Sequence, residues 1–155
     1  MTITCRIATP DDLPDIVRML ADDFLGQQRE KYEDPLPESY IDAFNEIEDD
    51  PNNELIVAEQ DERVIGTLQL TYTPSISFQG SRRCTVEAVR VDASLRGQGI
   101  GRQMMLWAIH RARQKGCRSM QLTTNLDREN SHRFYKNLGF KGTHLGMKLD
   151  LTHSA

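Results

Sequence analysis

The stretch V-E-A-V-R-V-D-A-S-L-R-G-Q-G-I-G-R, residues 86–102, changes character twice along its length. Its first six residues alternate in a way that is typical of a β-strand. Three glycines follow, and after them apolar residues recur at helical spacing. Because glycine adopts positive φ angles and lets other groups approach the backbone, the stretch predicts a strand, a tight turn and the start of a helix.

The start of the predicted helix is suited to binding an anion. The first amide N–H groups of a helix have no acceptor within it, and they favour an oxyanion such as phosphate. Arginines on both sides of the glycines would add positive charge. We therefore expect a phosphate cradle formed by Arg96, Gly97, Gln98, Gly99, Ile100, Gly101 and Arg102.

Three known glycine patterns and one structural alternative compete for this loop. A Walker A loop is excluded because G-x-x-x-x-G-K-[ST] is absent, and the spacing G-x-G-x-G differs from the Rossmann G-x-G-x-x-G. Arg96, Gly99 and Gly101 fit instead the pattern [QR]-x-x-G-x-[GA], a signature of the GNAT superfamily of acyl-CoA-dependent N-acyltransferases. The alternative is that the glycines serve only a tight turn.

A second stretch strengthens the resemblance. S-H-R-F-Y-K-N-L-G-F, residues 131–140, is similar to the A-x-x-F-Y-x-x-L-G-F helix of the same superfamily, and the chain resembles a GNAT protein from end to end. The resemblance implies an α/β fold with a mixed sheet of about six to seven strands flanked by about four helices. It implies one domain over residues 1–155, with final strand material in H-L-G-M-K-L-D-L at its end.

Composition narrows the function classes. The 155 residues carry a net charge of −4 and include 27% charged residues, which argues against a nucleic-acid partner. No apolar run is long enough to cross a membrane, and no secretory signal is visible. Three widely spaced cysteines and the lack of a Cys/His cluster favour a cytoplasmic protein without a metal.

The resemblance implies that acetyl-CoA is the cosubstrate and that it lies where strands 86–91 and 119–124 splay apart. Its pantetheine arm would follow Val89, Arg90 and Val91, and the Val89 amide would polarise the thioester carbonyl. Strand alternation predicts Glu87 on the same face as Val89 and Val91, where it would act as a base or hold a cationic amine. The alternative is a salt bridge from Glu87 to Arg83 or Arg90.

In the second signature, Tyr135 matches the tyrosine that points at the CoA sulfur, although Phe134 and Ser131 share its helical face and a purely structural role is the alternative. Arg128 and Ser131 stand where many relatives have Asn and Ala. Arg128 would meet a CoA phosphate or an anionic substrate, or is simply a solvated charge. Arg128 and the H-R-F-Y sequence also resemble aminoalkylphosphonate N-acetyltransferases, which does not fix a substrate.

Together these features predict an N-acetyltransferase that acts on a primary amine of a small molecule by direct attack. Two alternatives remain, a protein or peptide acetyltransferase and a non-catalytic acyl-CoA-binding regulator. Many GNAT proteins are dimers, so a homodimer is among the assemblies that the resemblance implies.

Overall fold

The strands of the chain form one five-stranded sheet with the order β1-β2-β3-β4-β5 in the computed structural model, which describes residues 2–23 and 25–152. The strands are β1 (Thr4–Ile7), β2 (Asn53–Gln60), β3 (Arg63–Pro74), β4 (Arg82–Val91) and β5 (Cys117–Gln121). Neighbours from β1 to β4 are antiparallel, whereas β4 and β5 are parallel. The mixed α/β sheet is therefore confirmed.

Four longer helices and two single turns accompany the sheet in the described part of the chain. They are α1 (Leu13–Ala21), α2 (Gly26–Arg29), α3 (Glu38–Asp49), α4 (Ser77–Gly80), α5 (Ile100–Gln114) and α6 (Glu129–Asn137). The segments α2 and α4 are single turns, and in α4 Phe78 and Gln79 have positive φ angles of 52° and 60°, so it is not a regular α-helix. No described helix is long and apolar enough to cross a membrane.

Helix α5 covers one face of the sheet, which we call the α5 face. Its buried side chains recur at helical spacing, at Ile100, Met104, Met105, Ala108 and Ala112. A Cβ atom on Gly66 of β3 would come 2.5 Å from Met104 Sδ, so the missing side chain lets the helix lie close to the strand. Glu54, Tyr72, Cys84 and Val86 are buried on this face.

Helices α1 and α3 pack on the opposite side of β2 and β3. The amphipathic pattern of α1 buries Leu13, Ile16, Val17 and Met19. These side chains form a core cluster with Phe44 of α3 and Val57 of β2, among others. This second layer places α1 over the middle strands.

The described residues fall into two compact units, one ending at Leu122 and one beginning at Thr123. The second unit contains α6 and a tail without helix or strand over its described residues. The predicted final strand is wrong for the described residues, because residues 144–151 have no strand assignment. A strand requires hydrogen bonds to a neighbouring backbone, and alternation alone does not supply them. Leu145, Met147, Leu149 and Leu151 remain 73–86% exposed, and the described sheet has five strands instead of six or seven.

Candidate active site

The glycine turn after β4 takes the backbone form that the sequence predicted. Gly97 and Gly99 both have φ of 80°, in the left-handed region that side chains disfavour. Gly99 is the N-cap of α5, which begins at Ile100. A Cβ at Gly97 or Gly99 would meet nothing within 4 Å, so glycine is required there by backbone conformation and not by crowding.

The amides of this turn are available to a ligand. In the described part of the chain, the main-chain N–H groups of residues 96–102 donate no hydrogen bond to a turn or to a side chain. Gln103 N is the first donor in the helix, and it bonds Gly99 O at 3.1 Å. Arg96, Gly97, Gln98 and Gly99 are exposed, as is Arg102. Orphan donors, an aligned helix start and two arginines together form a site that fits a phosphate or pyrophosphate.

Asp92 holds the segment that leads into the cradle, and it is not among the residues predicted from the sequence. The residue is 4% exposed. Its Oδ1 accepts from Ser94 N at 3.0 Å and Ser94 Oγ at 2.7 Å, while its Oδ2 pairs with Arg18 at 3.2 Å and Arg63 at 3.1 Å. The hydrogen bond from the Ser94 hydroxyl is the main cause of a lowered pKa at Asp92. The D-x-S sequence, which favours such a turn, was the available signal.

Strand β4 leaves its parallel neighbour before it reaches the cradle. The two strands pair only from Arg82 opposite Cys117 to Thr85 opposite Gln121. Beyond Thr85, no strand of the described residues pairs with β4 on that side. Backbone at residues 86–91 therefore faces an opening in which an extended ligand could pair as an additional strand, as predicted for pantetheine at Val89–Val91. The Val89 carbonyl already accepts a hydrogen bond from Arg90 Nη1 at 2.9 Å.

A β-bulge at Ala88 changes which side chains share a face. Ala88 has φ of 53°, and the register passes from Gln69 opposite Glu87 to Thr67 opposite Arg90. Two residues of β4 thus oppose one of β3. The prediction that Glu87 and Val91 share a face is therefore wrong. Val91 lies opposite Gly66 on the α5 face, while Glu87 and Arg90 lie together on the other face.

The Glu87 carboxylate is not used to stabilise the described structure. The side chain is exposed, and among the described residues it forms no hydrogen bond or ion pair. Arg90, one of the two partners considered for it, pairs instead with Asp23 Oδ2 at 3.3 Å. The salt-bridge alternative for Glu87 is therefore not formed, and its carboxylate is available to a water molecule or an amine.

The second unit carries the remaining predicted site residues. Tyr135 is half-buried in α6, and its ring packs edge-on against Phe134 and Phe140 at centroid distances of 5.1 and 5.9 Å. Arg128 is the exposed N-cap of α6. It lines a polar depression with the half-buried Ser131 and the residues between them. These two contacts hold the Tyr135 ring in place within the second unit. The role of Tyr135 in the reaction stays a prediction.

The cysteines are not suited to nucleophilic chemistry in the described structure. Burial raises the pKa of the Cys84 thiol to about 12 and that of Cys5 to about 11. Burial also raises the pKa of Cys117. Since the thiolate is the reactive form, these thiols would be inert at neutral pH.

Comparison with known proteins identifies the family to which the chain is similar. Residues 14–140 match the model of the acetyltransferase (GNAT) family. A protein from Bacillus halodurans C-125, whose crystal structure is described as that of a transcriptional regulator, is 53% identical in sequence. The match covers 97% of this chain and 100% of that protein, and the two structures superpose with a TM-score of 0.94.

Two curated proteins are similar over shorter stretches. The aminoalkylphosphonate N-acetyltransferase of Salmonella typhimurium is 46% identical over 50 residues, 32% of each chain. The glucosamine 6-phosphate N-acetyltransferase of Trypanosoma brucei brucei is 34% identical over 89 residues, 57% of this chain and 58% of that protein. The matches thus span about a third and somewhat over half of these relatives' lengths.

Proposed function

The chain belongs to the GNAT acetyltransferase family, and we propose that it is an enzyme that transfers the acetyl group of acetyl-CoA to a primary amine of a small molecule. The observation that carries the proposal is the row of unpaired main-chain amides at residues 96–102, at the start of α5 and beside the open edge of β4. Both curated relatives are named for small acceptors that combine an amine with a phosphonate or phosphate. Their names support a small-molecule acceptor here.

The cradle would position the coenzyme through its pyrophosphate. Amides from residues 96–102 donate to the phosphate oxygens, and Arg96 and Arg102 add charge at the rim. The pantetheine arm pairs with the free edge of β4, and the Val89 amide donates to the thioester carbonyl oxygen as negative charge develops there. Asp92, tied to Arg18, Arg63 and Ser94, keeps the lead-in segment in place before the coenzyme arrives.

Chemistry then requires a neutral amine. An alkylamine with a pKa near 10.4 is neutral in about one molecule in a thousand at about pH 7.4, an equilibrium cost of about 4 kcal/mol. The Glu87 carboxylate would accept a proton from the ammonium group through a water molecule, or hold the amine near the thioester. The amine nitrogen bonds to the acetyl carbon and gives up one proton to water, the carbon–sulfur bond breaks, and CoA leaves as a thiolate that this proton can neutralise. Tyr135 would donate a hydrogen bond to that sulfur.

Direct attack by the amine is favoured over an acyl-enzyme route. A covalent relay needs an activated nucleophile with an adjacent base. The raised pKa values of the three thiols argue against such a relay through cysteine.

A second candidate function follows from the Bacillus halodurans relative that is described as a transcriptional regulator. In this case the chain binds an acyl-CoA without catalysis. Such a protein needs the cradle but gives no role to an unpaired Glu87, and for that reason the enzyme is our first choice.

Thiol release separates the two functions. Purified protein, acetyl-CoA and a panel of small primary amines are mixed, and free CoA is followed with a thiol reagent. The enzyme releases CoA only when an amine is present, together with an equal amount of the N-acetylated amine. The substitution Tyr135→Phe lowers kcat and leaves the affinity for acetyl-CoA unchanged. Tight CoA binding with no turnover of any amine would favour the regulator, and turnover of peptides alone would indicate a protein acetyltransferase.

A further inference from the structure

Arg83 lies on the same face of the sheet as Glu87. Before the bulge at Ala88, strand alternation places Arg83, Thr85 and Glu87 on one side of β4. Their register partners on neighbouring strands share that side, and we call the set the polar face: Asn53, Gln69, Thr71, Thr73, Arg83, Thr85, Glu87, Ser119 and Gln121. Every member is half-buried or exposed, in contrast to the buried α5 face.

Most side chains of the polar face satisfy one another. Asn53 Oδ1 accepts from Thr71 Oγ1 at 2.8 Å and from Gln69 Nε2 at 3.2 Å. Gln121 Nε2 donates to Thr85 Oγ1 at 3.3 Å. The two charged groups, Arg83 and Glu87, have no hydrogen bond or ion pair with the described residues. The face thus has a neutral, internally bonded floor and one free charge of each sign.

Arg83 is an exception among the half-buried arginines that the structure describes. Arg6, Arg18, Arg90 and Arg111 each pair with a carboxylate. Arg82 donates to Lys115 O at 3.2 Å and to Asn52 Oδ1 at 2.7 Å. Arg83 has none of these partners, and its Nε is buried without a hydrogen-bond acceptor. Arg90 Nε is the other such atom among the described residues, but the Arg90 guanidinium has a carboxylate partner in Asp23.

A buried donor without a partner is unfavourable, and in a native protein it needs an explanation such as a ligand. Guanidinium is planar and presents parallel N–H groups that match the oxygens of a phosphonate, phosphate or carboxylate. The structure therefore offers a receptor for an oxyanion at Arg83 and a receptor for a cation at Glu87. Four residues of strand separate the two, about 13 Å between Cα atoms at about 3.3 Å per residue, and a ligand that binds both charges has to bridge the distance between the two side chains.

We propose that Arg83 recognises an oxyanion of the acceptor while Glu87 faces its amine, so that the preferred substrates are small zwitterions. The proposal rests on the proposed function, because it names the acceptor class for the same site. Arg83 is in this view a specificity-determining residue and takes no part in proton transfer.

Three amines of equal chain length test the proposal: an aminoalkylphosphonate, the corresponding amino acid with a terminal carboxylate, and the corresponding amino alcohol. Wild-type protein should have the highest kcat/KM with an anionic member. Arg83→Gln should raise KM for the anionic amines by about ten- to hundredfold, the range for a lost charge-assisted hydrogen bond, and leave kcat/KM for the amino alcohol within about twofold. Arg83→Lys should recover part of the loss. Arg113→Gln removes the same charge from an exposed position on α5 and should change neither value.

Two outcomes would overturn the role of Arg83. One is an equal loss for the anionic amines and the amino alcohol, which would indicate a structural role. The other is an unchanged KM for both anionic amines. Phosphonate preference over carboxylate, or the reverse, identifies the oxyanion.

A binding measurement keeps this test independent of catalysis. Methylphosphonate is titrated by calorimetry into CoA-saturated protein, so that the cradle is already occupied. Binding that is lost in Arg83→Gln supports the proposal, even if no amine is turned over and the proposed function fails. Equal binding in both proteins, or none to wild type, refutes it. Turnover of amines without any preference for an anionic one leaves the proposed function standing and refutes only the role of Arg83.

Discussion

The two faces of the sheet use charged residues in opposite ways. On the α5 face, Glu54 is 6% exposed, and its carboxylate binds Arg111 of α5 and the Tyr72 hydroxyl. On the polar face, Glu87 and Arg83 have no partner among the described residues. Both faces are built from the same strands, so the difference does not come from strand propensity or from burial in a different domain.

This contrast indicates a division of labour. Buried charges persist when they are paired and hydrogen-bonded, since an isolated one is strongly destabilising. Glu54 meets that condition through a helix that is fixed in place, and it contributes to the fold. Glu87 is exposed and Arg83 is half-buried with an unpaired Nε, and in our proposal their partners are the charged groups of a substrate.

The largest expected effect tests the structural half of this contrast. Glu54→Ala should lower the free energy of unfolding by about 3 kcal/mol or more, because Arg111 and the Tyr72 hydroxyl lose their acceptor. Glu87→Ala is the matched control and should change stability by about 0.5 kcal/mol or less. Urea unfolding followed by circular dichroism measures both. Similar losses in the two variants would mean that the faces do not differ in this way.

For activity, the contrast between the two faces predicts the opposite order, with a larger effect at Glu87 than at Glu54. Glu87→Gln should lower kcat/KM by about a hundredfold if the carboxylate accepts the proton, since general bases contribute about 10²-fold or more. The urea midpoint should stay at its wild-type value. A pH–rate profile separates base from anchor, because loss of a base removes the acidic limb of kcat. Unchanged kinetics would exclude Glu87 from the reaction.

A smaller effect, on acetyl-CoA binding, is expected at the glycine turn between β4 and α5. Gly99→Ala should weaken acetyl-CoA binding by about tenfold, because a side chain disfavours the left-handed conformation by about 1–2 kcal/mol and the amides would turn away. Gly80→Ala is the control, with a similar φ of 76° and equally open space in the β3–β4 connection. Its strain should lower stability without a change in affinity. Calorimetric titration with CoA compares them, and equal affinities would contradict the cradle.

The smallest effect concerns acid stability. Ser94 lowers the pKa of Asp92, and at Glu54 burial acts upward but the bonds from Arg111 and Tyr72 hold the pKa below its usual value. A carboxylate with a lowered folded pKa stabilises the protein above its unfolded pKa and loses this contribution as pH falls through the folded one. The free energy of unfolding should therefore be steady from neutral pH to about pH 5 and decline below about pH 4. Glu54→Gln should reduce that decline, and an unchanged slope would contradict the assignment.

Local signals in the sequence were sufficient to predict the glycine turn after β4 and the main helices and strands. Glycines at 97 and 99 can take φ angles that few residues adopt, and apolar spacing fixed the position of α5. These features depend on residues that are close together in the chain, and such residues can be identified from the sequence alone. That strands 86–91 and 119–124 are neighbours came from the family resemblance, and the order of the strands in the sheet was not predicted.

Features that depend on distant partners were missed. The bulge is encoded by Ala88, a residue with no preference for positive φ, so the facing of Glu87 was only half correct. Asp92 gains its role from Arg18 and Arg63, which are far away in sequence. The absence of a partner for Arg83 is a property of everything around it and has no sequence signature. The tail at 144–151 shows that a strand pattern does not supply a neighbouring strand.

The irregularity at Ala88 has a practical consequence for anyone who transfers knowledge between members of this family. Before the bulge, the odd-numbered residues of β4 point to the polar face. After the bulge, the even-numbered residue Arg90 points to that face. An alignment that slips by one position across Ala88 would exchange the two sets and assign a catalytic role to a core valine. Superposition on the backbone of that single residue is therefore the proper reference point when a carboxylate in another protein is equated with Glu87.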